Sequence, residues 1–268
     1  MNYEHPKRKT KVVFVQLGSP EAPTTKALRK YLRNFLGDPR VVDINPWLWK
    51  IILNFFVLPF RPKKSAKLYA RIWDGKSFPL ITNTRDFTTN VSEELKKIDP
   101  NGFVEVNHAF LLSPPYVNEV YDSWEEDLKK GIGATKLLVI PMFPQYSEST
   151  IASGIDALAK ELSKRVKIPT FEVITNFHRT HAFIDNSVNQ VDLKLDELIK
   201  QGKKIDSLII TFHGMQKRRI VHKGDDYYRH CYETFCLITK NLKNIKPEQC
   251  LMSFQSRFGS EEWITPYT

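Results

Sequence analysis

The stretch Ser207-Leu208-Ile209-Ile210-Thr211-Phe212-His213-Gly214 decides how the rest of the chain is interpreted. Its consecutive apolar and β-branched residues are typical of a parallel strand covered on both faces, and Gly214 allows the chain to leave the strand sharply. His213 is therefore expected at the carboxyl edge of a sheet, where open α/β sheets bind ligands. A lone histidine at a strand end is more often structural than functional, so its surroundings must decide its role.

Short apolar runs alternate with helical patterns along the rest of the chain. Strands are predicted from Lys11, Phe103, Lys136 and Thr170, with a helical pattern after each, and a last strand is predicted from Gln249. The alternation predicts an α/β fold with parallel sheets, in two halves at residues 1–175 and 176–268. The second half has only two predicted strands, whereas sheets usually have about four to six. We therefore expect it to be incomplete, with a carboxyl-terminal part lacking.

The composition narrows the classes of partner and compartment. The 268 residues carry a formal net charge of +10, which favours anionic partners. The positive residues are dispersed and form no nucleic-acid-reading module, so no nucleic-acid partner is expected. Three cysteines, with no disulfide-like spacing, favour a reducing compartment, and neither a signal peptide nor a membrane span is recognisable.

The segment Pro46–Lys64 has the most unusual composition, with two tryptophans and three phenylalanines before a basic cluster. One interpretation is a helix buried in the core, because helices that are apolar nearly all round are often buried. The other is a hydrophobic lip, from Trp47 to Phe60, that contacts a bilayer or admits a large apolar ligand. The sequence leaves both open.

Six motifs occur in the order seen in ferrochelatases, and their combination is specific although each alone would be weak. The chain resembles this family, and most closely its Gram-negative bacterial type, over nearly all of Lys11–Thr268. The motifs are Leu17-Gly18-Ser19-Pro20, Tyr31–Val42 (YLRNFLGDPRVV), Pro144-Gln145-Tyr146-Ser147, Phe212-His213-Gly214-Met215, Gly224-Asp225-Asp226-Tyr227-Tyr228 and Phe254–Gly259 (FQSRFG).

The resemblance implies a lyase of haem and porphyrin biosynthesis that inserts ferrous iron into protoporphyrin IX. It also implies two Rossmann-like, chelatase-type halves that face a porphyrin cleft. His213 corresponds to the active-site histidine of the family, as a base for pyrrole protons or as a metal ligand to the incoming iron. By the same resemblance Tyr69, Tyr146, Ser147 and Trp263 contact the porphyrin.

Fe²⁺ is expected here as a substrate, with no resident cofactor and no iron–sulfur cluster in this chain. A cytoplasmic protein is expected. If Trp47–Phe60 is a lip and not a core helix, peripheral contact with the inner membrane through this segment is one of its possible roles.

One departure from the family pattern stands out. The glutamate that works opposite the histidine in the family, beyond the Phe-Gln-Ser-Arg region, has no counterpart here, because Glu261 and Glu262 lie too early. We therefore expect this length of chain to be weakly active or inactive. Two alternatives stay open: a non-catalytic porphyrin or haem binder, and a chelatase that inserts cobalt into sirohydrochlorin.

Overall fold

The computed structural model describes residues 9–257 and 259–268. Its contacts group these residues into two compact units. The first unit contains the described residues up to Met142 together with Glu148–Thr175. The second unit contains Phe143–Ser147 and Asn176–Thr268. The short segment Phe143–Ser147 thus belongs to the second unit, although it lies within the predicted first half at residues 1–175. The predicted boundary between two chelatase-type halves, between residues 175 and 176, stays a prediction.

A four-stranded parallel sheet organises the first unit. Its first strand is buried along nearly its whole length, as a continuous apolar run predicts. The strands are β1 (Thr10–Gln16), β2 (Val104–Phe110), β3 (Lys136–Pro141) and β4 (Thr170–Val173). They lie in the order β2-β1-β3-β4, and every pair is parallel. The predicted α/β class with parallel sheets is therefore confirmed.

Within the described part of the first unit, six α-helices connect or flank these strands. They are α1 (Thr25–Leu36), α2 (Pro46–Ile52), α3 (Arg61–Tyr69), α4 (Pro79–Ile98), α5 (Val117–Lys129) and α6 (Ser153–Leu162). Short π-helical segments cover Leu53–Val57 and Glu148–Ala152, and a 3₁₀ turn covers Ala70–Ile72. The main core lies between the sheet and α5 and α6, where Trp124 Nε1 donates to the carbonyl of Ala134 at 2.7 Å.

The apolar segment after Pro46 is not a buried helix. Leu53 and Leu58 pack inward, but Trp47, Phe55, Phe56 and Phe60 are between 67% and 78% exposed. The chain forms α2, a π-helical segment and α3 here, and not one continuous helix. The interpretation as a core helix is therefore wrong, and the segment forms an exposed apolar lip, which we call the Trp47–Phe60 lip.

The second unit has a two-stranded parallel sheet with helices packed on one side. Its elements are α7 (His181–Lys200), β5 (Leu208–His213), α8 (Lys217–Lys223), α9 (Tyr227–Asn241), a 3₁₀ turn (Pro247–Gln249) and β6 (Cys250–Gln255). β5 and β6 pair in register from Leu208 and Cys250 to His213 and Gln255. The sequence did not predict α8, whose basic stretch has little apolar periodicity.

The expectation that β5 is covered on both faces is wrong for the described part of the chain. Its side chains alternate between half-buried and exposed, and Ile209 is 53% exposed opposite Leu251 at 54%. The inward face packs towards the core that includes Phe212 and Phe254. No described element covers the other face, which also carries His213. An apolar run therefore predicted the strand, but not which of its faces is covered.

Candidate functional site

His213 ends β5, and its side chain is exposed. Its Nδ1 lies 2.8 Å from the carbonyl oxygen of Gly214. Because a carbonyl can only accept a hydrogen bond, Nδ1 carries the proton of the neutral ring and Nε2 carries a lone pair. Nε2 has no hydrogen bond within the described ranges. The local backbone therefore prepares His213 to accept a proton or to bind a metal ion through Nε2.

The turn after His213 depends on a glycine packed beneath a tryptophan. The Gly214 N–H donates to the carbonyl of Gln255 at 2.6 Å. A Cβ on Gly214 would lie 2.8 Å from that oxygen and 3.0 Å from Cε3 of Trp263. Trp263 is 7% exposed, and its neighbour Ile264 donates to the carbonyl of Met215 at 3.0 Å. Trp263 thus lies directly behind the histidine turn, and its contact with substrate stays a prediction.

The first turn of α9 supports His213 from another direction. The side chain of Tyr227 interacts with the backbone of His213 and with the thiol of Cys231, and burial raises the pKa of Tyr227. Asp225 is buried before the helix, and its Oδ1 accepts the Tyr227 N–H at 2.9 Å. These contacts fix the helix start against the end of β5.

Tyr146 and Ser147 lie in the segment Phe143–Ser147, which we call the Tyr146 loop. Tyr146 is half-buried and Ser147 is 2% exposed. The backbone N–H of Tyr146 donates to Nδ1 of His230, on α9, at 3.1 Å. Because His230 follows Tyr227 by three residues, the two lie about one helical turn apart. α9 therefore brings the support of His213 and the support of the Tyr146 loop together within the second unit.

Tyr69 belongs to the first unit, at the end of α3. Its half-buried ring makes edge contacts with Tyr31 at 6.2 Å and Phe78 at 5.5 Å between centroids. Burial raises the pKa of Tyr69, which is also hydrogen-bonded to Tyr31. The Tyr31 hydroxyl donates to the carbonyl of Gly18 at 3.4 Å. Tyr69 is thus part of an aromatic cluster beside the Gly18 turn, and its contact with porphyrin stays a prediction.

The described residues show no group of three or more His, Cys, Asp or Glu side chains that could hold a metal ion. Cys231, Cys236 and Cys250 are free thiols. No helix in the described ranges is long and apolar enough to cross a bilayer.

Two residues that support the site were not identified from the sequence. Tyr227 lies in one of the quoted motifs, but only the fold shows its contact with the His213 backbone. His230 lies in no motif, and it is 84 residues from Tyr146. A buried histidine on a helix is usually a packing residue, so no sequence signal distinguished it.

Comparisons with known proteins agree with the quoted motifs. A family model described as ferrochelatase matches residues 9–268. The ferrochelatase of Idiomarina loihiensis is 40% identical over 257 residues, which are 96% of this chain and 67% of that protein. The ferrochelatase of Marinobacter nauticus is 37% identical over 269 residues, covering 100% and 69%.

The coproporphyrin III ferrochelatase of Streptococcus mutans is 36% identical over 261 residues, covering 97% of this chain and 76% of the relative. The name of this relative states its porphyrin, whereas the names of the other two relatives state none. With the family model spanning residues 9–268, the chain belongs to the ferrochelatase family.

Proposed function

We propose that the chain inserts ferrous iron into a porphyrin, with His213 at the reacting centre. The observation that carries this proposal is the geometry of His213, whose Nδ1–H is held by the Gly214 carbonyl, so that the lone pair of the neutral ring lies on Nε2 of an exposed side chain. Membership of the ferrochelatase family supports the same activity. Membership of the family does not favour the alternative of a porphyrin binder without catalysis.

The reaction requires a base. Fe²⁺ replaces the two pyrrole N–H protons of the macrocycle, so two protons leave for each iron inserted. The Nε2 of neutral imidazole can accept one of them near neutral pH, and general-base catalysis contributes about 10²–10⁴-fold. The same nitrogen is also a suitable ligand for Fe²⁺ before its transfer to the ring. The two roles share one requirement, which is an unprotonated Nε2.

We propose protoporphyrin IX as the substrate, with Tyr69, Tyr146, Ser147 and Trp263 as porphyrin contacts. Aromatic rings suit this role because they stack on a flat macrocycle, and a serine hydroxyl can bind a carboxylate. The name of the Streptococcus mutans relative states coproporphyrin III. The two porphyrins differ in that coproporphyrin III carries propionates where protoporphyrin IX carries vinyl groups. The rates at which this chain metallates protoporphyrin IX and coproporphyrin III therefore decide which of the two is its substrate.

The test is an anaerobic assay that follows porphyrin absorbance after addition of Fe²⁺, with each porphyrin in turn. We expect metallation by the unsubstituted chain, at the low rate predicted from the sequence, and a loss of about 100-fold or more in His213→Ala. His222→Ala, which changes an exposed histidine on α8, is the matched control and should keep the parent rate. Failure of the parent chain to metallate either porphyrin would refute the activity, and an active His213→Ala would refute the role of His213.

We further propose that the Trp47–Phe60 lip contacts a membrane surface peripherally. Four of its aromatic rings are at least 67% exposed, and Arg61, Lys63 and Lys64 follow it directly on α3. Inserting an exposed aromatic ring among acyl chains gains roughly 2 kcal/mol, and lysines near the headgroups add attraction to anionic lipid.

Pelleting with vesicles that contain anionic lipid tests the lip. The double substitution Trp47→Ser/Phe56→Ser should lower the bound fraction strongly. Leu193→Ser, at an exposed leucine on α7, is the control and should not change it. Equal pelleting of the double variant and the parent would remove membrane contact from the proposal.

A further inference from the structure

One buried face of α9 anchors two consecutive residues of the Tyr146 loop. The side-chain amide of Gln145 donates to Oγ1 of Thr234 at 3.1 Å, and the Tyr146 N–H donates to Nδ1 of His230 at 3.1 Å. His230 and Thr234 are 4% and 1% exposed. Because they are four residues apart, they lie on the same side of the helix. The loop is therefore attached to α9 at two adjacent helical turns.

The bond to Tyr146 requires His230 to be neutral. A backbone N–H can only donate, so Nδ1 must carry its lone pair and the ring proton must lie on Nε2. If Nδ1 became protonated, two donors would face each other and the bond would be lost. The anchor at Thr234 has no such dependence, because a threonine hydroxyl does not titrate in this range.

The groups that face His230 oppose a positive charge on its ring. The His178 ring stacks on it with 3.9 Å between centroids and 19° between planes. On its own helix, Nη2 of Arg229 lies 3.2 Å from Nε2. Because both of these nitrogens carry protons when Nδ1 accepts from Tyr146, this contact is not a hydrogen bond, and the guanidinium charge opposes a second proton on the ring. Burial, His178 and Arg229 lower the pKa of His230, while the carboxylates of Asp226 and Glu233 act in the opposite direction.

His178 is itself held in place, so that its ring stays parallel to that of His230. Its Nε2 lies 2.7 Å from Oε2 of Glu233, and Nη1 of Arg229 donates to the other oxygen of that carboxylate at 3.1 Å. His178 is 3% exposed, and its Nδ1 has no hydrogen-bond partner within the described ranges. The stacked rings direct their lone pairs along nearly parallel planes, so they do not converge on a metal ion. The pair is therefore a support and not a metal site.

We propose that His230 is a positioning residue that holds the Tyr146 loop ready for porphyrin only while its imidazole is neutral. The proposal rests on the proposed function, because the loop carries two of the proposed porphyrin contacts. Protonation of His230 releases the Tyr146 N–H from Nδ1 and leaves the bond from Gln145 to Thr234 in place. Porphyrin binding by this chain should therefore weaken in acid through a group other than His213.

Two amide variants at the same position test this. In His230→Asn the side-chain oxygen lies close to the position of Nδ1 and accepts the same bond without titrating. In His230→Gln the amide reaches the position of Nε2 instead and cannot replace it. Both variants remove the imidazole and add a polar group, so a general effect on folding would appear in both. His181→Asn, at a fully exposed histidine, is the surface control.

The first measurement is hydrogen exchange of the peptide that contains residues 143–147, without porphyrin and corrected for intrinsic rates. We expect exchange in His230→Gln to be about tenfold faster than in the parent at neutral pH, the value of one net hydrogen bond, and parent-like exchange in His230→Asn. On lowering the pH from about 8 to about 5, the parent should lose protection and His230→Asn should keep it. The opposite pattern would overturn the anchor.

The second measurement is the Kd for protoporphyrin IX, read from porphyrin fluorescence over the same pH range. We expect Kd to rise about tenfold in His230→Gln with a smaller change in kcat, and the acid-induced rise in Kd to be reduced in His230→Asn. Equal acid sensitivity of the parent and His230→Asn would overturn the proposal. If the parent binds no porphyrin, the proposed function fails, and hydrogen exchange still decides the His230 anchor by itself.

Discussion

Replacing Gly214 by alanine tests the packing behind His213 most directly. A Cβ at this position would lie 2.8 Å from the Gln255 carbonyl oxygen and 3.0 Å from Cε3 of Trp263. The first atom belongs to the backbone of a paired strand, and the second to a tryptophan that is 7% exposed. Neither is the flexible end of a side chain. The new methyl group can therefore be accommodated only by moving β6, Trp263 or the turn itself.

The magnitude follows from two opposing effects. Overpacking a well-packed site costs about 1–3 kcal/mol. The entropy that alanine removes from the unfolded chain returns about 0.4–1 kcal/mol. We expect a net loss of about 1–2 kcal/mol in the free energy of unfolding. With an m-value of about 2 kcal/mol/M in urea, the midpoint should fall by roughly 0.5–1 M.

The assay is urea unfolding followed by circular dichroism and by tryptophan fluorescence. Of the five tryptophans, Trp263 alone belongs to the second unit, so its emission should change with this substitution. Gly154→Ala in α6 is the matched control. Its Cβ would meet only Cδ1 of Leu111 at 4.0 Å, and we expect a small gain of about 0.5–1 kcal/mol from helix propensity.

Iron insertion should also fall in Gly214→Ala, because the Gly214 carbonyl holds the His213 ring through Nδ1. A Gly214→Ala variant with the parent's urea midpoint and rate of metallation would refute the reasoning about this turn. Parallel losses in Gly154→Ala and Gly214→Ala would also contradict it, because they would show that the cost is not specific to the contacts with Gln255 and Trp263.

Two further predictions concern the Cys231 thiol on α9 and the half-buried Trp49 in the Trp47–Phe60 lip. Burial raises the pKa of the Cys231 thiol to about 12, so iodoacetamide at about pH 8 should modify it on the order of a thousandfold more slowly than a cysteine in a short peptide, as mass spectrometry of labelled peptides would show. A cysteine thiol ordinarily has a pKa near 9.0, so the unfolded chain loses this proton at a lower pH than the folded chain does. The free energy of unfolding should therefore fall as the pH rises from about 9 toward 12, and this fall should be smaller in Cys231→Ala. Trp49 Nε1 donates to the Leu36 carbonyl at 2.6 Å, so Trp49→Phe should lower the free energy of unfolding by about 0.5–1.5 kcal/mol. Trp47→Phe, at a tryptophan that is 78% exposed, should leave it nearly unchanged in the same urea titration.

The sequence by itself determined the fold class, the order of the elements and the position of His213. β1 was predictable because its apolar run is continuous and both of its faces are buried. Alternation of strand and helix patterns is a local property of the chain, and it predicts parallel sheets wherever crossover helices lie between the strands. The motifs indicated the family in the same way, because each is contiguous in sequence. The position of His213 at the end of a strand followed from the alternation of strands and helices and from the motifs together.

The tertiary structure alone decided which faces are covered and which residues hold the site. Ile209 and Ile210 are consecutive isoleucines on opposite faces of β5, yet only Ile209 is exposed, because no described element packs on its face of the sheet. The bond from Tyr146 to His230 joins residues 84 apart, and that from His178 to Glu233 joins residues 55 apart. Such pairs leave no period in the sequence, because they form only when separate elements pack and bury their polar groups together.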